Sequence, residues 1–316
     1  MTKALVFPGQ GSQTIGMGKE LYENFICARV VFDEVDSALS RKLSKIIFDG
    51  DMDQLTRTDN AQPALMAMSM AVLSVMQIEY GFNPLSVAFM AGHSLGEYSA
   101  LCSSGALSLA NTAVLLQKRG EAMLASALKK KGKMAVVLGL TKEQIEDSLS
   151  GEVFIANDNC VGQVVISGAE EDVDKASEIL ERKGAKRVLP LAVSGAFHSS
   201  LMQQASEEMT ETLLSIPMQA PKVPLISNVT GQPIRDVTEI RQLLIKQIVS
   251  PVLWTQSVQL MAKEGVDTFI EVGNGKVLSG LIKRTEPTAS AISLNTILSM
   301  QEFFSLDNRK KEKCLI

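Results

Sequence analysis

The chain has 316 residues and a net charge of −4; 46% of its residues are hydrophobic and 21% are charged. A chain of this size and balance buries a core of its own without disulfides or a structural metal. Its mixed charges argue against the basic surface of a nucleic-acid-binding protein. We therefore expect one large α/β domain, with room for a second domain inserted into it.

The four cysteines are scattered along the chain without paired spacing, at Cys27, Cys102, Cys160 and Cys314. This distribution argues against a zinc site and against a disulfide framework, and it is typical of a protein of the reducing cytosol. We therefore expect a cytoplasmic protein without a metal.

The two ends of the chain and its apolar runs argue against targeting and membrane insertion. The first strand-like run reaches Pro8 too soon for a signal peptide. The longest apolar run, residues 64–76, is too short to span a bilayer and predicts a buried core helix. Cys314 is followed by one residue too few for a prenylation box. We expect no association with a membrane.

Strand and helix patterns alternate through the first part of the chain. Residues 3–7 form a β-rich run that stops at a turn signal, PGQGS. A second strand pattern, residues 87–91, leads directly into GHSLG. Helical periodicity covers residues 17–39, 63–80, 96–104 and 108–128. Strands alternating with helices predict a mostly parallel sheet covered on both faces.

The stretch from residue 132 to 191 has an internal order of its own. Its patterns predict strand, helix, strand, strand, helix and strand, at residues 134–138, 141–149, 153–156, 163–167, 170–182 and 187–191. This β-α-β-β-α-β order is the ferredoxin-like arrangement. We interpret residues 129–195, ending at Ser194 and Gly195, as a small subdomain inserted into a core of residues 1–128 and 196–316. Later strands return to the core sheet near residues 223–227, 267–271 and 291–294.

The run GHSLG at residues 92–96 carries the clearest chemical signal. A Gly-x-Ser-x-Gly between a strand and a helix forms a nucleophile elbow, a sharp turn that holds the serine at a helix N-terminus. The helix dipole and the free N–H of Leu95 then face any oxyanion that forms at Ser94. The strand-then-helix context favours a nucleophile over the alternative, a plain glycine turn.

Only two histidines are available to serve as the base that a serine nucleophile needs. His93 adjoins Ser94, and the elbow should point its ring away, so we expect a structural role for it. His198 precedes a helical pattern and follows the serine in the chain, as in α/β-hydrolase-type sites. His198 is therefore the candidate base, and a purely structural histidine is the alternative.

The loop after the first strand, GQGSQ at residues 9–13, is rich in glycine. A dinucleotide-binding fingerprint does not fit it, because Gly9 and Gly11 are followed by Gly16 and not by a glycine at position 14. The loop either offers a backbone N–H as a second oxyanion donor or is a turn between strand and helix without chemistry.

Six motifs, taken together and in this order, resemble the malonyl-CoA:acyl carrier protein transacylase family. They are PGQGSQ at residues 8–13, GHSLGE at 92–97, QKRG at 117–120, GQVVISG at 162–168, AFHS at 196–199 and SNVTG at 227–231. The resemblance covers almost the whole chain. It implies an α/β-hydrolase-like core with a parallel sheet and an inserted ferredoxin-like subdomain, in agreement with the organisation described above.

By this resemblance, Ser94 is the nucleophile that carries the malonyl group, and His198 is its base. The backbone N–H groups of Gln10 and Leu95 form the oxyanion hole. Arg119 binds the free carboxylate of the malonyl group, which a guanidinium holds by two parallel hydrogen bonds. The residues alone, without the resemblance, would favour a solvated surface charge at Arg119.

The family orients its histidine with a main-chain carbonyl and not with an acid. Gln247, in KQIVSP at residues 246–251, is the matching candidate. The family residue near the substrate in the small subdomain corresponds to Asn159. Two features depart from the family pattern, the DNCV lead-in to Gly162 and the tail after Arg284, which carries no recognisable motif.

The resemblance implies an acyltransferase that moves malonyl from malonyl-CoA to the phosphopantetheine thiol of acyl carrier protein, without a cofactor. We expect it to supply fatty-acid elongation, with a polyketide pathway as the alternative. We also expect a monomer with a basic docking surface for the acidic carrier protein; Lys186, Arg187 and the lysines at residues 129–131 are candidates.

Three other interpretations stay open. One is a serine esterase or thioesterase that uses the same elbow and histidine, although Arg119 argues against a lipid esterase. Another is a non-catalytic module that binds a carrier protein. The third is a dinucleotide-binding oxidoreductase, against which the glycine spacing argues.

Overall fold

The structure is a computed structural model that describes residues 2–193 and 195–313, with side chains as far as residue 306. Ser194, near the predicted end of the small subdomain, and Cys314 lie outside the described residues. The strands of the described part are β1 (Lys3–Phe7), β2 (Phe89–Gly92), β3 (Gly132–Leu138), β4 (Val153–Cys160), β5 (Gln163–Ala169), β6 (Arg187–Pro190), β7 (Leu225–Ile226), β8 (Pro233–Ile234), β9 (Val252–Leu253), β10 (Thr268–Val272) and β11 (Ser290–Leu294).

The helices of the described part are α1 (Lys19–Asn24), α2 (Ile26–Ala38), α3 (Leu43–Asp49), α4 (Met52–Thr56), α5 (Thr58–Ile78), α6 (Gly96–Ser103), α7 (Leu109–Lys129), α8 (Lys142–Glu146), α9 (Glu170–Arg182), α10 (Gln203–Ser215), α11 (Val237–Gln247), α12 (Trp254–Lys263), α13 (Val277–Thr285) and α14 (Ile297–Lys313). Short 3-10 turns cover Pro84–Ser86 and Ser200–Met202.

The core sheet has the strand order β11-β10-β1-β2-β7-β8. Its neighbouring strands are parallel except for β7 and β8. Phe7 at the end of β1 pairs with Gly92 at the end of β2. The loops that follow these two central strands therefore leave the same edge of the sheet side by side, at the end where parallel sheets build their sites. One of these loops carries Gln10 and the other carries Ser94.

A second sheet has the strand order β6-β3-β5-β4-β9. Its first four strands are antiparallel, and with α8 and α9 they form a β-α-β-β-α-β unit. The predicted α/β fold, a parallel core sheet with a ferredoxin-like insertion, is thus confirmed. Strand β9 was not predicted; it comes from outside residues 129–195 and pairs in parallel with β4, with Asn157 opposite Val252. This pairing joins the small sheet to the core.

The helices differ from the predicted ones mainly in where they begin and end. The stretch predicted as one helix over residues 17–39 is two helices, because Phe25 between α1 and α2 is extended, with φ −127°. Helix α5 begins at Thr58 and not at Pro63. A proline is most easily accommodated in the first turn of a helix. Pro63 therefore suggested a helix start, although it lies inside the helix.

Helix α5 is the one helix of the described part that is long and apolar enough to cross a membrane by length and composition; 83% of its most apolar window is buried inside the protein. It packs against α7 in the main hydrophobic core. Helix α7 begins after Ser108, whose side chain accepts a hydrogen bond from the Asn111 N–H as an N-cap. The pair of helices brings Gln62 of α5 to Arg119 of α7.

Candidate active site

Ser94 stands on a sharp turn between β2 and α6. Its φ of 53° lies in the left-handed region, a costly conformation for a residue with a side chain that persists where the surrounding structure imposes it. A Cβ atom on Gly92 would come within 1.9 Å of the Gly96 backbone, and one on Gly96 within 2.2 Å of the Phe7 carbonyl oxygen. Glycine is therefore required on both sides of the serine, as in a nucleophile elbow.

The imidazole of His198 lies beside the serine. Its Nε2 atom is 2.9 Å from Ser94 Oγ. On the other side of the ring, Nδ1 is 2.9 Å from the Gln247 carbonyl oxygen and 3.2 Å from that of Ser250. Two acceptors at Nδ1 favour the tautomer that carries its proton there, which leaves Nε2 free to accept the serine proton. The main-chain carbonyl of Gln247 thus lies where it orients the ring.

Burial keeps His198 uncharged. The residue is 4% exposed. Burial and then the positive charge of Arg119 lower the pKa of His198 from 6.5 to about 3, while the hydrogen bonds to the Gln247 and Ser250 carbonyls act in the opposite direction. At neutral pH the ring is therefore an unprotonated base.

Arg119 is a buried cation, 1% exposed, and not a solvated surface charge. Its Nη2 donates to Ser94 Oγ across 3.1 Å and to Gln247 Oε1 across 3.0 Å. Its Nη1 donates to Gln62 Oε1 across 2.7 Å, whereas Nε has no hydrogen-bond partner among the described residues. Burial lowers the pKa of Arg119, but a guanidinium keeps its charge in proteins.

The backbone N–H groups of Gln10 and Leu95 donate no hydrogen bond to any described residue. Leu95 directly precedes α6 as its N-cap residue, so its N–H belongs to the unpaired set at a helix N-terminus. Both residues line the same cavity as Ser94 and His198. Two free donors are thus available close to the serine.

Asn159 lies against His93 and not against the serine. Its Oδ1 is 2.9 Å from His93 Nε2. The His93 ring also contacts Trp254, with the ring centroids 5.7 Å apart. These contacts turn His93 away from Ser94 and link the elbow to strand β4, which carries Asn159.

Two adjoining cavities lead to the serine. The inner cavity is lined by Ser94 and His198. The outer cavity is lined by Asn159 and by residues of α13. The residues that line both cavities are Gln10, His93, Asn157 and Leu191. The two cavities therefore form one channel, with walls from the small sheet and from loops and helices of the core.

Sequence reasoning assigned no role to three buried polar residues that contact this site, Gln62, Glu97 and Asn228. Asn228 accepts a hydrogen bond from the Ser94 N–H across 2.7 Å and donates to the Gly92 carbonyl across 2.7 Å, so it holds both sides of the elbow. Glu97 and Asn228 both belong to motifs that carried the resemblance, which was a usable signal. For Gln62 the sequence offered no signal except a polar residue two positions before the apolar run of residues 64–76.

The site combines a hydroxyl, an unprotonated base, two free N–H donors and a buried cation. This set can form and break an ester on Ser94 and can hold an anionic group of the substrate beside it. No group of three or more His, Cys, Asp and Glu side chains in the described part of the chain is placed to hold a metal ion.

Comparison with known proteins places the chain among acyltransferases. The acyl transferase domain family matches residues 4–302. The malonyl CoA-acyl carrier protein transacylase of Bacillus subtilis is 47% identical over 298 residues, which cover 92% of this chain and 93% of that protein. The solved acyl-carrier-protein-S-malonyltransferase of Bartonella henselae is 48% identical with a TM-score of 0.93, covering 97% of this chain and 99% of the other.

A third similar structure is that of a malonyl-transacylase in complex with its type II PKS acyl-carrier protein. It is 37% identical with a TM-score of 0.91, and the match covers 95% of this chain and 98% of the other. The similarity in these comparisons extends over nearly the full length of both chains.

Proposed function

The chain belongs to the acyl transferase domain family, among the malonyl CoA-acyl carrier protein transacylases, and we propose that it transfers malonyl from malonyl-CoA to acyl carrier protein through Ser94. The residue assignment rests on two groups that both hydrogen-bond to the Ser94 hydroxyl. Ser94 Oγ donates to His198 Nε2 across 2.9 Å and accepts from Arg119 Nη2 across 3.1 Å. A base and an anion-binding cation thus act at one hydroxyl.

In the first half-reaction, His198 Nε2 takes the Ser94 proton as Oγ forms a bond to the thioester carbon. The tetrahedral intermediate carries negative charge on the former carbonyl oxygen, which the N–H groups of Gln10 and Leu95 stabilise. Collapse of the intermediate breaks the carbon–sulfur bond, and the imidazolium returns its proton to the departing coenzyme A thiol. The malonyl group remains as an ester on Ser94.

In the second half-reaction, the phosphopantetheine thiol gives its proton to His198 and attacks the malonyl ester. The carbon–Oγ bond then breaks, and Ser94 recovers a proton from the imidazolium. Because the donor and the product are both thioesters, the exchange is close to energy-neutral. The reaction therefore requires neither ATP nor a cofactor.

Arg119 supplies the preference for an acyl group that carries a carboxylate. The Nε–H without a protein partner and the adjacent amino groups can form a two-pronged pair with that carboxylate. The positive charge of Arg119 also lowers the pKa of His198. A malonyl carboxylate that neutralises this charge therefore strengthens the base when the correct substrate is bound.

The same buried cation argues against the runner-up function, a serine esterase or thioesterase acting on neutral lipids. A cation buried beside the nucleophile is costly to desolvate and gives no benefit with an uncharged acyl chain. In a transferase whose acyl group is anionic, pairing with that group offsets the desolvation cost of the cation.

The core of residues 1–128 and 196–316 carries Ser94, Arg119 and His198, and the small subdomain of residues 129–195 covers the channel. Acyl carrier protein is the acceptor, which is supported by the similar malonyl-transacylase solved with its acyl-carrier protein. We assign the protein to the cytoplasm from its scattered cysteines, and its mixed charge argues against binding to nucleic acid.

A single assay tests this function. Radiolabelled malonyl-CoA is incubated with the protein, with and without carrier protein bearing its phosphopantetheine arm. We expect label on the carrier protein and little free malonate. Release of the label as free malonate at the same rate, whether or not carrier protein is present, would identify a hydrolase instead.

A further inference from the structure

Glu97 is a buried acid that the mechanism above does not use. It lies in the first turn of α6, three residues after the nucleophile, and is 2% exposed. Its Oε2 atom accepts hydrogen bonds from Gln247 Nε2 across 2.6 Å and from the Asn228 N–H across 3.2 Å. The carboxylate thus contacts two residues, Gln247 and Asn228, that are themselves hydrogen-bonded to the elbow.

These contacts determine which way the Gln247 amide faces. Its Nε2 donates to Glu97, to the Ser94 carbonyl across 3.1 Å and to Asn228 Oδ1 across 3.3 Å. Its Oε1 accepts from Arg119 Nη2. A flipped amide would place its oxygen against three acceptors and its NH₂ against a guanidinium, so this orientation is fixed. Among the three acceptors, Glu97 makes the shortest hydrogen bond to Gln247.

Gln247 is the residue through which Glu97 reaches both working groups of the site. The side-chain oxygen of Gln247 holds Arg119, and its main-chain oxygen lies 2.9 Å from His198 Nδ1. Gln247 is fully buried, so water cannot replace the hydrogen bond that its side chain makes to Glu97. Any shift of this residue changes the placement of the cation and of the base together.

We propose that Glu97 is a positioning residue for the transfer reaction. Through the Gln247 amide it keeps Arg119 and His198 within hydrogen-bonding distance of Ser94. The inference rests on the function proposed above. It adds a residue that touches neither substrate nor reacting atoms and that acts through its shortest hydrogen bond, the one from the Gln247 amide.

The pKa of Glu97 reflects both its burial and its hydrogen bonds. Burial raises its pKa to about 7, while the hydrogen bonds from Asn228 and Gln247 and the charge of Arg119 oppose this shift. The charged or titratable groups around it are Arg119 and its chain neighbour Tyr98, whose own pKa burial raises to about 12. An acid in such a place destabilises the fold unless its hydrogen bonds replace water.

The test compares two variants by kcat/KM for malonyl transfer from malonyl-CoA to carrier protein. Glu97→Ala removes the acceptor, and we expect a loss of about a hundredfold, as small displacements of catalytic groups produce, mainly in kcat. Glu97→Gln keeps an acceptor oxygen at the same place and should stay close to the wild type. Wild-type kcat/KM in Glu97→Ala would overturn the proposal.

A double-mutant cycle separates positioning through Gln247 from a general structural effect. Gln247→Ala deletes the amide but keeps the carbonyl that faces His198. In that background Glu97→Ala should lower kcat/KM by no more than about twofold, because the two residues act as one unit. If Glu97→Ala costs the same factor in both backgrounds, Glu97 does not act through Gln247 and the proposal is wrong.

Asp36→Ala is the matched control for removal of a buried acid. Asp36 is 4% exposed and accepts hydrogen bonds from the Ser44 N–H and hydroxyl, in α2 and outside the site. It should lose thermal stability but not kcat/KM measured on folded protein. Failure of the proposed function would appear separately, as a wild-type protein that does not transfer malonyl.

Discussion

The guanidinium of Arg119 donates a hydrogen bond to the hydroxyl of Ser94, with 3.1 Å between Nη2 and Oγ. The only cation that lines the inner cavity among the described residues is thus hydrogen-bonded to the proposed nucleophile. It also lies close enough to His198 to lower the pKa of that base. Under the proposed function, a substrate carboxylate that draws the guanidinium to itself would free the hydroxyl and strengthen the base. Substrate choice and reactivity would then both depend on Arg119.

Arg119→Ala should weaken the preference for malonyl over acetyl thioesters. Without the guanidinium, the malonyl carboxylate is buried without a partner, which typically costs ~3–5 kcal/mol, or roughly a hundredfold or more in transfer. An acetyl group has no carboxylate, so its transfer should not suffer. The quantity to measure is the malonyl-to-acetyl ratio of kcat/KM.

Lys118→Ala is the control for this ratio, since Lys118 is the exposed neighbour of Arg119 on the same helix. It should leave the ratio unchanged. A ratio that does not fall in Arg119→Ala would mean that the cation serves the scaffold and not the substrate.

His198→Ala should slow the formation of the malonyl-enzyme by ~10²–10⁴-fold, the usual loss for a missing general base. The reason is the 2.9 Å contact of Nε2 with Ser94 Oγ, the only histidine contact of that hydroxyl in the described structure. Rapid mixing with malonyl-CoA followed by acid quench gives the acylation rate. An unchanged rate would remove His198 from the mechanism.

The ring of His198 should stay neutral through the range where histidine usually titrates. Burial, and then the charge of Arg119, lower the pKa of His198 to about 3. A lowered pKa means that the ring releases its proton at a lower pH than in the unfolded chain, where the midpoint is about 6.5. The imidazole ¹⁵N shifts of His198 should therefore stay constant from pH 8 to pH 5, and burial also lowers the pKa of His93. Titration of His198 near 6.5 would contradict the buried, neutral base.

Lys186→Glu combined with Arg187→Glu should weaken the use of carrier protein and leave acylation by malonyl-CoA nearly intact. Both residues are exposed, at the start of β6 on the edge of the small sheet, and the acidic carrier protein should meet a basic surface. The measurement is KM for carrier protein as a function of salt concentration. Lys45→Glu with Lys263→Glu, an equal charge reversal at other exposed positions, is the control. An identical KM in the first variant and the wild type across the salt series would remove this docking surface.

The sequence predicted the elements that local patterns determine. The elbow was predictable because glycines at 92 and 96 are the local requirement of its turn, and both prove to have no room for a Cβ. The four antiparallel strands of the small sheet and its two helices were predictable because each has a clear hydrophobic period. Helix α9 has the predicted bounds, Glu170–Arg182.

Features that depend on contacts between distant parts of the chain were not predictable. Strand β9 is two residues long and forms because β4 offers it an edge. Gln62 lies 57 residues from Arg119 in the chain but 2.7 Å from it in space. The presence of Arg119 in the site was predicted only from the resemblance, because its local sequence is typical of an exposed helix face.

The central claim is that malonyl is carried on the Ser94 hydroxyl, and the most direct measurement is the mass of the protein after brief exposure to malonyl-CoA. We expect one malonyl group per chain, on the proteolytic peptide that contains Ser94, and none on Ser94→Ala. Ser99→Ala, which removes a buried hydroxyl without a described partner in α6, should be labelled like the wild type. A malonyl group that is still acquired by Ser94→Ala, or that lies on another peptide of the wild type, would contradict the account.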